Sequence, residues 1–195
     1  MAVLKIALMG HPILRMKSVP VENPCAPEIS RLVEDMMDTL SDAGGVGLAA
    51  PQVHTPLRLV IFKVPAAQAA PERYKAAGLD EKSEEVPLTV LINPEIEVIG
   101  NNNNPAFEGC LSIPDMMGEV TRHSHIIYRG VGLDGQPIER EAIGFHARVV
   151  QHECDHLDGI LYPQRISDLT TFGYNKELMK GFKPEDSNGD FEDQL

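Results

Sequence analysis

The chain has 195 residues, 43% of them hydrophobic and 24% charged, and a formal net charge of −12. That length can bury a core in a single domain, and the acidity argues against a protein that grips nucleic-acid phosphates. No run of about 18 apolar residues points to a membrane span, and Met1-Ala2-Val3-Leu4-Lys5 has no charged segment leading into a long apolar core, so no secretory signal is expected.

Residues 1–24, interrupted by Pro12, Pro20 and Pro24, suit an extended arm or short strands wrapping the domain. From Pro27 to Leu40, the apolar residues Ile29, Leu32, Val33, Met36, Met37 and Leu40 recur at helical spacing, with Gly44-Gly45 beyond the end. Leu57–Val64 and Leu88–Ile92 are expected as buried strands. Between them, Pro65–Pro87 forms a surface excursion with room for a short helix over Pro71–Ala77.

Asn101–Asn104, followed by Pro105, marks a turn. Ile96–Ile99, Val120–Arg122 and Ile126–Leu133 are expected antiparallel strands, and Asp134-Gly135 is a hairpin signal before Pro137-Ile138. Ile143–Leu157 is expected as a helix closed by Asp158-Gly159. The sum is an α+β domain: antiparallel strands around a central helix bearing HExxH, with a second long helix near the N-terminus. A catalytic domain is expected over residues 1–166. The extension 167–195 includes Glu185, Asp186, Asp190, Glu192 and Asp193 and is expected to be mobile at its end.

Gln151-His152-Glu153-Cys154-Asp155-His156 contains HExxH. On a helix, residues four apart share a face, so His152 and His156 can bind one metal ion, while Glu153 can take a proton from a bound water. By itself the hexapeptide also fits a solvated helix face. Cys154 lies two positions from each histidine and so points away from that face. Cys154 and Cys25 are assigned to packing, and the odd cysteine count favours reduced thiols. His11, His54, His123, His125 and His146 lack ligand spacing and are expected at the surface or hydrogen-bonded. Phe145, Val149, His152 and His156 fall on one helical stripe, which would place an apolar pocket beside the metal. Core packing explains Phe145, Val149 and Val46 equally well.

Two further segments stand out, Gly45-Val46-Gly47-Leu48-Ala49-Ala50-Pro51-Gln52 and Glu108-Gly109-Cys110-Leu111-Ser112-Ile113-Pro114. The first lacks the lysine and hydroxyl of a phosphate-binding loop. In this order, GVGLAAPQ, EGCLSIP and QHECDHLDG resemble the three signature motifs of peptide deformylase, and the resemblance covers roughly residues 1–166. It implies a metal-dependent hydrolase that removes the N-formyl group from the initiator methionine of nascent bacterial or organellar proteins.

By this resemblance Cys110, His152 and His156 are the metal ligands, with water in an open fourth position. The metal-bound water attacks, Glu153 is the general base, and the Gln52 side chain and Leu111 backbone N–H stabilise the oxyanion. Val46, Phe145 and Val149 are candidates for the methionine pocket, and Gly47 for close approach of the substrate backbone. Glu108 and Asp155 are the first candidates for orienting the metal-bound imidazoles. The implied metal is Fe(II); Zn(II), Ni(II) and Co(II) are also compatible with Cys/His₂ ligation.

The expected partners are N-formylmethionyl nascent peptides, in the bacterial cytoplasm or an organelle, with no direct nucleic-acid or membrane binding. Residues 167–195 lack the basic C-terminal helix that some members use at the ribosome, so any contact there is expected to be transient. Many members also carry an arginine where this chain has Met117 and a proline where it has Thr121, which bears on contacts with the downstream peptide. Two other functions use overlapping features. One is an HExxH zinc peptidase, although most of these take their third ligand downstream of the helix. The other is a non-catalytic formyl-peptide or metal-binding homologue.

Overall fold

The structure, a computed structural model, describes residues 2–182. In chain order its main elements are α1 (Pro27–Ala43), β1 (Gly47–Ala49), β2 (Leu59–Val64), α2 (Glu72–Ala76) and β3 (Val86–Val98). There follow β4 (Asn103–Cys110), β5 (Ile113–His123), β6 (His125–Val131), β7 (Pro137–Ile143), α3 (Phe145–Leu157), β8 (Gly173–Tyr174) and α4 (Asn175–Leu178). An antiparallel sheet has the order β1-β2-β3-β6-β7, and a smaller one β4-β5-β8. The fold is therefore mixed, with antiparallel sheets, as expected.

Strand β2 shows how the larger sheet is covered. Alternate side chains of a strand point to opposite faces. Val60, Phe62 and Val64 pack toward α3, in a cluster with Phe145, Val149, Val150, Cys154 and Leu157. Leu59 and Ile61 pack toward α1, with Ile29, Val33, Met36 and Leu40. Every residue of α3 is buried. Helix α1 begins with Pro27 in its first turn and ends at Gly44, whose φ of 65° suits a residue without Cβ. It runs three residues beyond the expected Leu40.

Several expected boundaries move. Leu88–Ile92 and most of Ile96–Ile99, up to Val98, are parts of one strand, β3, because a bulge absorbs the Asn93-Pro94 interruption. Asn93 takes φ 52°, and its side chain holds both the N–H and the carbonyl of Val21 at 2.9 Å. The first part of β3 is also less buried than expected, with Leu88 exposed and Leu91 and Ile92 enclosed. Asn103, Asn104 and Pro105 lie in β4 rather than in a turn; β4 is an edge strand, where proline is tolerated. Ile143 ends β7 opposite His125, and Gly144 (φ 60°) turns the chain into α3.

The N-terminal arm is largely extended, with one 3-10 turn over Pro12–Arg15. Ala7 N–H donates to Gln52 O, and Met9 N–H to Ser112 O, both at 2.8 Å, so the arm ties two of the singled-out segments together. Beyond residue 166 the chain stays on the domain: Gly173 and Tyr174 pair with Met117 and Met116 of β5. The expectation of a mobile acidic end concerns residues 183–195, which lie outside the described residues.

Candidate active site

Three segments far apart in sequence converge at one end of α3. Strand β4 ends in Cys110, and the Leu111-Ser112 tip leads into β5. The register shifts between Gly109, opposite Met117, and Cys110, opposite Ile113. Such an irregularity re-aims side chains. Cys110 Sγ lies 3.3 Å from His156 Nε2, and the ligand atoms of Cys110, His152 and His156 all lie within 4.8 Å of one another. The two imidazoles meet edge-on, 5.1 Å between centroids. Spacing of four on α3 brings the histidines together, and the β4–β5 hairpin brings the thiol to them.

The charges around the cluster are arranged around Glu108. Its Oε2 accepts from His152 Nδ1 at 2.9 Å, leaving Nε2 of that ring as the lone-pair nitrogen. Burial would raise the Glu108 pKa, but hydrogen bonds from His152 and Arg122, with the Arg122 charge, outweigh it and hold the carboxyl well below the usual range. Asp155 differs from expectation. It accepts from Arg122 and Arg165, so it supports Glu108 through Arg122 and bonds to neither imidazole. His156 Nδ1 is buried with no hydrogen-bond partner among the described residues.

Glu153 is 5% exposed, and its Oε2 has no partner among the described residues. Burial pushes its carboxyl up to about 7. Gln52 lies in a 3-10 turn, Ala50–Val53. Its Oε1 accepts from Ala49 N–H at 2.8 Å, which turns Nε2 toward Ser112 Oγ at 3.1 Å and Cys110 Sγ at 3.5 Å. A thiol, two imidazoles, an orphaned buried carboxylate oxygen and a fixed amide donor fit a borderline-soft divalent metal held by three side chains.

A cavity of about 360 Å³ opens on this cluster. Val46, Gly47, Phe145 and Val149 line it, together with Gln52, Cys110, Leu111, His152 and Glu153. Of the ligand, catalytic and pocket residues expected from the sequence, all but His156 line one space, and His156 is buried with its Nε2 3.3 Å from Cys110 Sγ. The 65–87 excursion takes part as well. Arg73 and Tyr74 of α2 line the cavity; Tyr74 packs against Phe145, and Arg73 Nη2 donates to Gly44 O at 2.7 Å. Met117 lines it too, buried in β5.

Other assignments divide. Cys154 is in the core with its thiol pKa raised by burial, as expected, whereas Cys25 is exposed. His146 is buried rather than at the surface, packed against Phe62 and Tyr128, and neither ring nitrogen has a hydrogen-bond partner among the described residues. A residue that sequence analysis missed is Arg148, which is buried and donates to Glu108 Oε1 at 2.7 Å. Its signal was its position four residues before His152, on the same helical stripe.

The family profile for polypeptide deformylase matches residues 3–172. Peptide deformylase 1 of Bordetella pertussis is 49% identical over 183 residues, 94% of this chain and 97% of that protein. Peptide deformylase 1 of Nitrosomonas europaea is 46% identical over 173 residues, covering 89% and 93% of the two chains. Among solved structures, the class I type b peptide deformylase of Acinetobacter baumannii bound to Met-Ala-Ser superposes with a TM-score of 0.75 at 35% identity, covering 85% of this chain and 99% of that one. The Ehrlichia chaffeensis peptide deformylase gives a TM-score of 0.76 at 30% identity, covering 87% and 91%. A profile that spans most of the chain, relatives near half identity over almost their full length and a shared fold agree: the chain belongs to the peptide deformylase family.

Proposed function

We infer that this chain hydrolyses the N-formyl group from formylmethionine at the start of newly made polypeptides, releasing formate. The observation that carries the site assignment is the convergence of Cys110, His152 and His156 on one point, beside the Glu153 carboxylate and at the wall of a cavity lined by Val46, Phe145 and Val149. The family is metal-dependent, and these three side chains would hold the ion, Fe(II) being the metal we expect in the cell. When bound, a divalent metal acidifies water and polarises a carbonyl, giving a competent nucleophile near neutral pH.

Glu153 takes the proton from the attacking water and passes it to the methionine nitrogen as the C–N bond breaks. Gln52 Nε2 and the Leu111 backbone N–H donate to the oxygen that gains charge when the formyl carbon becomes tetrahedral. A side-chain amide supplies that donor without adding a charge. Phe145, Val149 and Val46 enclose the methionine side chain, which fixes the formyl group over the cluster. The Acinetobacter relative binds Met-Ala-Ser, a tripeptide beginning with methionine, and this supports an apolar pocket for that residue. Bacterial relatives favour a bacterial cytoplasm, with any ribosome contact transient. No helix among the described residues is long and apolar enough to cross a membrane.

The test is formate release from a formyl-Met tripeptide by anaerobically prepared, iron-loaded protein, beside Glu153→Ala. Loss of a general base reduces turnover about 10²- to 10⁴-fold. The variant should show that loss with its metal retained. Absence of release from folded, metal-loaded wild type would overturn the assignment.

A further inference from the structure

Glu108 has every acceptor position occupied. Its Oε1 accepts from Arg122 Nε at 2.9 Å and Arg148 Nη1 at 2.7 Å. Its Oε2 accepts from Arg122 Nη2 and His152 Nδ1, both at 2.9 Å. A carboxylate offers about four lone-pair sites, so four donors fix its rotation and, through Nδ1, the ring of His152.

Arg148 links helix α3 to the hairpin that bears this carboxylate. It stands on α3, four residues before His152, and is 3% exposed. Besides Glu108, its guanidinium donates to the carbonyls of Asn104 and Ala106 on β4 and of Val120 on β5. These belong to the hairpin that carries Cys110. Taking a guanidinium out of water is costly, and an apolar side chain would satisfy helix packing without that cost. Only the planar, multi-donor arginine fork meets so many fixed acceptors at once.

We propose that Arg148 is a positioning residue for the metal site, pinning the His152 helix to the β4–β5 hairpin through Glu108 and the hairpin backbone, and so setting the distance from the helix-borne imidazoles to Cys110. The proposal rests on Cys110, His152 and His156 being the ligands. Two arginines bridge the hairpin and the helix in opposite directions: Arg122 reaches from β5 to Asp155 of α3, and Arg148 reaches from α3 to Glu108 and to the backbone of the hairpin that carries Cys110.

The test compares Arg148→Met, which removes the donors and keeps an unbranched stem, with Arg148→Lys, which keeps the charge and loses the fork. Each protein is loaded with Zn(II), its folding is checked by thermal melting, and metal release to excess chelator is timed without substrate. Supporting groups around metal ligands are worth about 10- to 100-fold in affinity or activity. The Met variant should release zinc about tenfold faster than wild type and lose kcat with little change in KM, and the Lys variant should fall between. Wild-type release from a folded Met variant overturns the proposal whatever turnover does, as does a raised KM with kcat intact, the signature of a pocket wall. If the Met variant does not fold, the Lys variant decides alone: faster release supports the proposal, and unchanged release overturns it. Release is read without peptide, so a failure of the deformylase assignment would leave this result standing.

Discussion

A Cβ on Gly47 would collide with the Glu153 carboxylate: the side chain proposed as general base rests directly on the backbone of β1. The GVGLAAPQ glycine thus makes room for the acid of HExxH, a relation between two motifs more than a hundred residues apart. Gly47→Ala should therefore act through Glu153. Displacing a general base costs about 10²-fold or more in kcat. We expect a loss of that order with metal content unchanged, read by steady-state formate release and metal analysis. Full kcat in the alanine variant would show that Glu153 can move aside without consequence.

Gln52 is held at both ends of its amide, by Ala49 N–H at the oxygen and Ser112 Oγ at the nitrogen. Gln52→Leu removes the donor proposed for the developing oxyanion, an effect worth about 10²- to 10³-fold in kcat. KM for a formyl-Met peptide should change little. A raised KM with kcat unchanged would instead assign Gln52 to ground-state binding.

The two cysteines nearest the cluster should separate cleanly. Cys110→Ala should abolish stoichiometric binding of one divalent ion. Cys154→Ala should retain it and cost on the order of 1 kcal/mol of stability, because that thiol only fills core space. Metal loss from the Cys154 variant would place it in the ligand set.

His146 should make stability pH-dependent. Burial holds its pKa down at about 4, against 6.5 for the free side chain, with Arg140 lowering it further and Glu84 opposing. Between those values the unfolded chain takes up a proton that the folded chain refuses. The contribution is fully present above pH 6.5 and is lost as pH falls toward 4, by about 2–3 kcal/mol. Denaturant midpoints at pH 7 and pH 4.5 should draw apart less in His146→Phe, whose ring suits the space beside Phe62 and Tyr128. An identical pH dependence in that variant would remove His146 as a cause.

The sequence by itself determined the family, the three motifs, the ligand candidates and both principal helices, because these rest on local spacing. Histidines four apart share a helical face in any context, and the apolar period of residues 29–40 needs no partner to be seen. Where the interruption was local but its consequence was not, the sequence misled: Asn93-Pro94 became a bulge within β3, and Asn103–Pro105 joined an edge strand. Cys25 and His146 exchanged environments for the same reason, since burial depends on what the rest of the chain lays against a residue.

Tertiary structure alone decided how the motifs serve one another. It placed Glu153 over Gly47, closed four donors around Glu108, directed Asp155 to Arg122 rather than to an imidazole, and brought α2 of the 65–87 segment to the cavity. Each of these depends on distances between segments far apart in the chain. Those distances are set by packing α1 and α3 on the two faces of one sheet and by the β4–β5 hairpin, so no window of sequence contains them.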